Sequence, residues 1–141
     1  MDDLRAAWQG FLVDQLEIGD DDAEAFGTLT YRDVEYEGTK WGRPPGLQAR
    51  DRAVAELARR IPGRSVAVEE RGAFNGREHH HLLACVGRSY VKWLPDVAHW
   101  WSLKFGFSRI EEARGAEEVI GYVTKYVTKE MDRVYINGRR L

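Results

Sequence analysis

The stretch Glu70–Leu83, ERGAFNGREHHHLL, constrains the fold of this chain more than any other. Its Asn75-Gly76 dipeptide is the turn chemistry of a tight hairpin, so the residues on either side read as two antiparallel strands. Side chains alternate along a strand, which puts His79 and His81 on one face and His80 on the other. Residues two apart on a strand lie roughly 6–7 Å apart at Cα, close enough for two imidazoles to converge on one divalent ion. Glu70, upstream on the first strand, returns to them across the hairpin. Two imidazoles and one carboxylate make an open metal site, with positions left for water or substrate oxygens. A histidine-rich strand or a chance surface cluster is the plainer reading of His-x-His alone. The carboxylate, the hairpin and a tyrosine pair downstream favour ligands.

The rest of the chain supplies elements to cover such a hairpin. Asp2–Glu17 reads as a helix, with acids in its first turn and Leu4, Trp8, Phe11, Leu12 and Leu16 at three- and four-residue spacing. Gly19 and Asp20-Asp21-Asp22 end it. FGTLTY, Phe26–Tyr31, is rich in β-branched and aromatic residues and reads as a strand. Arg32–Gly46 is a loop rich in Gly and Pro, where Trp41 is either a packing anchor or a platform for a nucleobase. Gln48–Arg60 is a second helix, with Ala53, Leu57 and Ile61 inward and arginines outward, stopped by Pro62-Gly63. Ser65–Arg71 and Arg77–Val86 are the hairpin strands. Tyr90–Trp101 is helical, with Pro95 in the first turn of its main segment and Trp93, Trp100 and Trp101 in the apolar pattern of a core. His99 is a surface or core histidine without a role. Lys104–Glu112 reads as a strand with Phe105, Phe107 and Ile110 inward, and Ala116–Met131 as a helix with Glu117 and Glu118 near its positive end. VYINGRRL closes the chain with a short apolar run and an Asn-Gly turn.

This order predicts an α+β fold, a central antiparallel β-sheet of ferredoxin-like or RNA-recognition-like type flanked by helices. One domain over residues 1–141 is expected, since the chain is long enough to bury its own core and carries no repeat or linker. No apolar run approaches the roughly 18 residues of a membrane span. The lone Cys85 excludes an internal disulfide and suits a reducing compartment, and the acids near the N-terminus do not suit a signal peptide, so cytoplasm is expected. A net charge of −2 and a pI near 6.1 count against non-specific duplex binding. Basic residues nevertheless gather at Arg50, Arg52, Arg59, Arg60 and Arg64 and again at Lys125, Lys129, Arg133, Arg139 and Arg140, so a basic groove on an acidic body is compatible with composition.

GYVTKYVTKE holds Tyr122 and Tyr126 four apart, each followed three residues later by a lysine, Lys125 and Lys129. Four apart is one face of a helix; the Val and Thr residues weaken helix propensity, and a strand would still keep both tyrosines on one side. Val119, Val123 and Val127 form the packing ridge. Half-buried structural tyrosines are the plain reading. A phenol is a poor nucleophile near neutral pH because its ordinary pKa is about 10, but an adjacent cation stabilises the phenolate. Two such phenols beside a metal site suit repeated phosphoryl transfer, in which a phosphotyrosine conserves the energy of the cut bond.

Taken together, these segments resemble the HUH endonucleases that initiate rolling-circle replication, especially the replication proteins of small single-stranded DNA phages and related plasmids. FGTLTY resembles the family's first motif; ERGAFNGREHHH resembles the metal motif, in which a carboxylate and Gly-Arg precede His-hydrophobic-His; YVTKYVTK resembles the catalytic helix of two-tyrosine members. The motifs fall in family order over about residues 25–131. His80 departs from the pattern by standing where a bulky apolar residue is usual, and the family spacing favours Glu70 over Glu69.

The resemblance implies metal-dependent, sequence-specific nicking and joining of single-stranded DNA at an origin hairpin loop. It implies that Glu70, His79 and His81 hold Mg²⁺ or Mn²⁺, that Tyr122 or Tyr126 forms a 5′-phosphotyrosine link, and that Lys125 and Lys129 assist. Thr28, Thr30, Arg77 and Trp41 would meet the DNA, and a host helicase and polymerase would be partners. No helicase segment, zinc-finger pattern or nucleotide-binding loop is present, so a nicking domain alone, or a stretch of a longer protein, is expected. A single-tyrosine insertion-sequence transposase is the alternative within the same chemistry, and the paired tyrosines point away from it. A non-catalytic RNA-recognition-like module stacking bases on Trp41, Trp100, Trp101 or Phe74 is the alternative outside it.

Overall fold

The computed structural model describes residues 6, 7, 10, 11, 22–31, 46–71, 78–113 and 134–140. These form six strands and two long helices: β1 (Asp22–Thr30), α1 (Leu47–Arg60), β2 (Arg64–Arg71), β3 (Glu78–Gly87), a 3-10 turn (Arg88–Trp93), α2 (Leu94–Lys104), β4 (Ser108–Glu112), β5 (Val134–Ile136) and β6 (Arg139–Arg140). Ala6, Ala7, Gly10 and Phe11 are helical, in keeping with a helix over the N-terminal segment. The strands make one antiparallel sheet in the order β4-β1-β3-β2-β5-β6. The expected α+β sheet flanked by helices is therefore present. Among the described residues no helix is long and apolar enough to cross a membrane.

The sheet has two unlike faces. In β1 burial alternates strictly, with Ala23, Ala25, Gly27 and Leu29 turned inward. These residues join Ala67, Leu82, Ala84, Val86, Ile110 and Tyr135 in a core closed by Ala53, Val54 and Leu57 of α1 and Leu94, Val97 and Trp101 of α2. The buried positions of α1 and of α2 recur at three- and four-residue spacing, the mark of a helix lying on a sheet. Pro95 in the first turn of α2, Asp96 beside it and Lys104 in the last turn complement the helix dipole. Gly27 admits β4, since a Cβ there would come within 2.9 Å of Ile110 Cγ1. Asn137 and Gly138, both at positive φ, make the β5–β6 turn that the Asn-Gly pair promised.

Several expectations change. β1 starts at Asp22, well before Phe26, because pairing with β3 and β4 and the burial of Ala23 and Ala25 override the low strand propensity of Ala, Asp and Glu. The late strand covers Ser108–Glu112; Lys104 still belongs to α2, and Phe105 caps that helix through its N–H to the Trp101 carbonyl at 2.7 Å. Phe107 is 67% exposed, not inward. Trp93 is 50% exposed because it ends the 3-10 turn, off the inward stripe of α2, whereas Trp101 is fully buried. Arg50 does not point outward: it lies on the Ala53–Leu57 stripe and is buried. His99 is exposed.

Candidate metal centre

The face of the sheet opposite the helices carries the predicted cluster. β2 and β3 pair so that Glu70 stands opposite His79 and Val68 opposite His81, while β1 sets Thr30 beside His79 and Thr28 beside His81. Period-two alternation then turns Glu70, His79 and His81 to one side. The Nε2 atoms of both histidines approach the same carboxylate oxygen, Glu70 Oε2, at 2.9 Å from His81 and 3.4 Å from His79. One ligand atom from each of the three residues lies within 4.8 Å of the others. Ligands about 2.0–2.2 Å from a shared ion stand roughly 3 Å from one another, so the set fits a divalent cation with only small shifts. The side chains of Glu70 and His79 are 14% and 20% exposed and that of His81 is 6% exposed, leaving an approach from solvent past His79.

The histidine rings are held in place. They meet edge to face with centroids 4.9 Å apart, and Phe26 of β1 stacks on His81 at 6.1 Å with an interplanar angle of 18°. Burial pushes the His81 imidazole below its usual value of 6.5; the hydrogen bond to Glu70 opposes this and the neighbouring His79 adds to it. His81 is thus neutral at pH 7, the form in which imidazole binds a metal. Glu69, the alternative acid, is on the helix side, where Oε1 accepts from Arg50 Nε at 2.6 Å. Glu70 is the acid that the structure brings to the histidines.

His80 also lies on the helix side, completely buried. Its Nε2 shares a 2.6 Å hydrogen bond with the Tyr31 hydroxyl, and Tyr31, Trp101 and Tyr135 surround it edge-on. The Tyr135 hydroxyl donates to Asp51 Oδ1 at 2.7 Å. Burial foremost, with help from nearby Tyr135 and Glu69, pushes the Tyr31 hydroxyl far above its ordinary value, and burial likewise raises Tyr135. Both stay phenols at any physiological pH. This polar layer behind the cluster was missed in the sequence, although Arg50 falls on the three- and four-residue stripe of Ala53, Val54 and Leu57 and so carried a signal of burial.

Of the other residues named from sequence, Thr28 and Thr30 share the cluster's face, and the Thr30 hydroxyl donates to the Phe107 carbonyl at 3.0 Å. Trp41, Phe74, Asn75-Gly76, Arg77, and the Ala116–Met131 segment with Tyr122, Lys125, Tyr126 and Lys129 lie outside the described residues. A model of a family of replication-associated proteins, those of the ORF2 type, matches residues 24–131. No curated protein and no solved structure matches.

Proposed function

The chain belongs to the ORF2-type family of replication-associated proteins, and on that basis we propose that it is a metal-dependent nickase of single-stranded DNA that initiates rolling-circle replication. The observation that carries the reading is the convergence of Glu70, His79 and His81 on one sheet face. Membership in a replication family supplies the substrate class, and the two phenols of YVTKYVTK supply nucleophiles of the right kind.

In this reading Glu70, His79 and His81 hold Mg²⁺ or Mn²⁺. When bound, the ion polarises the scissile phosphate and neutralises charge developing on its oxygens. Tyr122 or Tyr126 attacks phosphorus in line; the P–O3′ bond breaks, the departing 3′-oxygen takes a proton, and a 5′-phosphotyrosine remains. The second tyrosine, or a 3′-hydroxyl, later attacks that link, forming a new phosphodiester and releasing the first phenol. Lys125 and Lys129 stabilise phenolate or steady the phosphate. Thr28 and Thr30 lie along the wall of the channel that would hold the strand, and Arg77 and Trp41 are further DNA contacts. The 3′-end left by the cut would serve a host polymerase, and a host helicase would unwind the duplex ahead of it.

The test is incubation with a pool of random single-stranded oligonucleotides and Mn²⁺, followed by capture and sequencing of covalent adducts. The parent chain should form adducts at a defined sequence, EDTA should abolish them, and the double variant Tyr122→Phe, Tyr126→Phe should form none. His81→Ala should slow capture by roughly 100-fold, the scale of a lost electrostatic contact to developing charge. An adduct in the double tyrosine variant would sink the nucleophile assignment. Undiminished capture by His81→Ala in saturating Mn²⁺ would sink the metal assignment.

A further inference from the structure

On the helix side of the sheet, a cleft of about 470 Å³ opens between the end of α1 and the start of α2. That size lies within the roughly 300–1,000 Å³ of small-ligand sites. Its lining joins Arg59 and Arg60 to Tyr90, Trp93 and Trp100, with Asp96 at the rim of α2. Trp93 is 50% exposed, which wastes a large apolar ring unless something stacks on it. The Arg60 guanidinium lies 4.1 Å from the Trp100 ring centroid, and Lys92 Nζ stands 5.6 Å from that of Trp93. The Tyr90 hydroxyl donates to the Arg60 carbonyl at 2.6 Å and fixes the wall between them.

Aromatic platforms interleaved with arginines are the chemistry that holds single-stranded nucleic acid: bases stack on rings while cations meet phosphates. A guanidinium stacked on an indole still presents edge donors suited to a phosphate. Asp96 offers acceptor oxygens to a base amino group. A protein partner would find little here to bury, since the cleft is narrow and its arginines are exposed. We propose that this cleft binds one nucleotide of single-stranded DNA away from the cleavage point, with Trp93 as the stacking platform and Arg59 and Arg60 toward the phosphate. The sheet separates it from Glu70, so the nucleotide held here is a different part of the strand from the one that is cut. The proposal rests on the DNA-processing reading above, but not on the metal centre.

The experiment measures fluorescence anisotropy of a labelled, mixed-sequence single-stranded oligonucleotide in EDTA, with the whole chain. Trp93→Ala should weaken binding about tenfold, and Trp93→Phe should recover most of it. Arg59→Glu, at an exposed position, should weaken binding and flatten its salt dependence. If both Trp93→Ala and Arg59→Glu keep the parent fold by circular dichroism and bind within about twofold of the parent, the proposal is overturned. Should Trp93→Ala fail to fold, Arg59→Glu decides alone. Adduct formation in Mn²⁺ is scored separately. Trp93-dependent binding without any adduct would leave the cleft standing and remove the nickase; adducts with Trp93-independent binding would do the reverse.

Discussion

His80 and its two neighbours differ in chemistry because one strand aims them in opposite directions. His79 and His81 point at a carboxylate near solvent, while His80 is sealed against Tyr31, Trp101 and Tyr135. The Tyr31 hydroxyl is held protonated by burial, so its folded pKa lies above the ordinary 10. Its contribution to stability is therefore complete below pH 10 and is lost as pH rises, because the unfolded chain releases that proton first. Tyr31→Phe should lower stability modestly at pH 7, by about 1 kcal/mol for the lost hydrogen bond. Above pH 10 its unfolding free energy should fall less steeply than the parent's, by about 1.4 kcal/mol per pH unit. Urea titrations at stepped alkaline pH read this, and equal slopes would show that Tyr31 titrates freely. Tyr135, raised for the same first reason, keeps its own slope in the variant.

At the scale of elements, β2 and β3 present an ambiguity that the rest of the fold resolves. Glu69-Glu70 against His79-His80-His81 would also pair with each strand turned by one residue, putting Glu69 and His80 on the open face. Two bonds from outside the hairpin select the observed register: Arg50 of α1 to Glu69, and Tyr31 beyond β1 to His80, each 2.6 Å long. Arg50→Ala removes the guanidinium facing a buried carboxylate and should cost about 3–5 kcal/mol. In a double-mutant cycle with Glu69→Gln the two changes should couple by about 1.5–3 kcal/mol; additive losses in urea unfolding would show that the pair does not act as a unit. The hairpin itself was readable from sequence because His-x-His, an upstream acid and Asn-Gly are local signals with a period of two. The start of β1 was not, since Ala23 and Ala25 owe their strand conformation to β3 and β4 on either side. Phe107 and Trp93 misled for a related reason: both read as core from residue type alone, but they stand where a helix or a 3-10 turn ends and the inward stripe is broken. Arg50 shows the converse, a charge whose helical spacing outweighed its type.

The whole molecule uses its sheet as a partition. Helices and the hydrophobic core fill one side, and the acid–imidazole cluster sits on the other, positioned by strands rather than by loops. Such rigidity suits a metal ligand set, whose geometry must hold to a few tenths of an ångström. A cation that binds only the folded chain must stabilise it: at a concentration a hundred times its Kd the gain is about 2.7 kcal/mol, so Mn²⁺ should raise the melting temperature of the parent and leave that of Glu70→Gln unmoved. A rise shared by both would place the ion elsewhere. The most direct test of the central claim is an isothermal titration of Mn²⁺ into the metal-free chain, repeated with Glu70→Gln and His81→Ala. One ion should bind per parent chain and none at comparable affinity to either variant; a parent that takes up no Mn²⁺, or variants that bind it as tightly, would contradict the account.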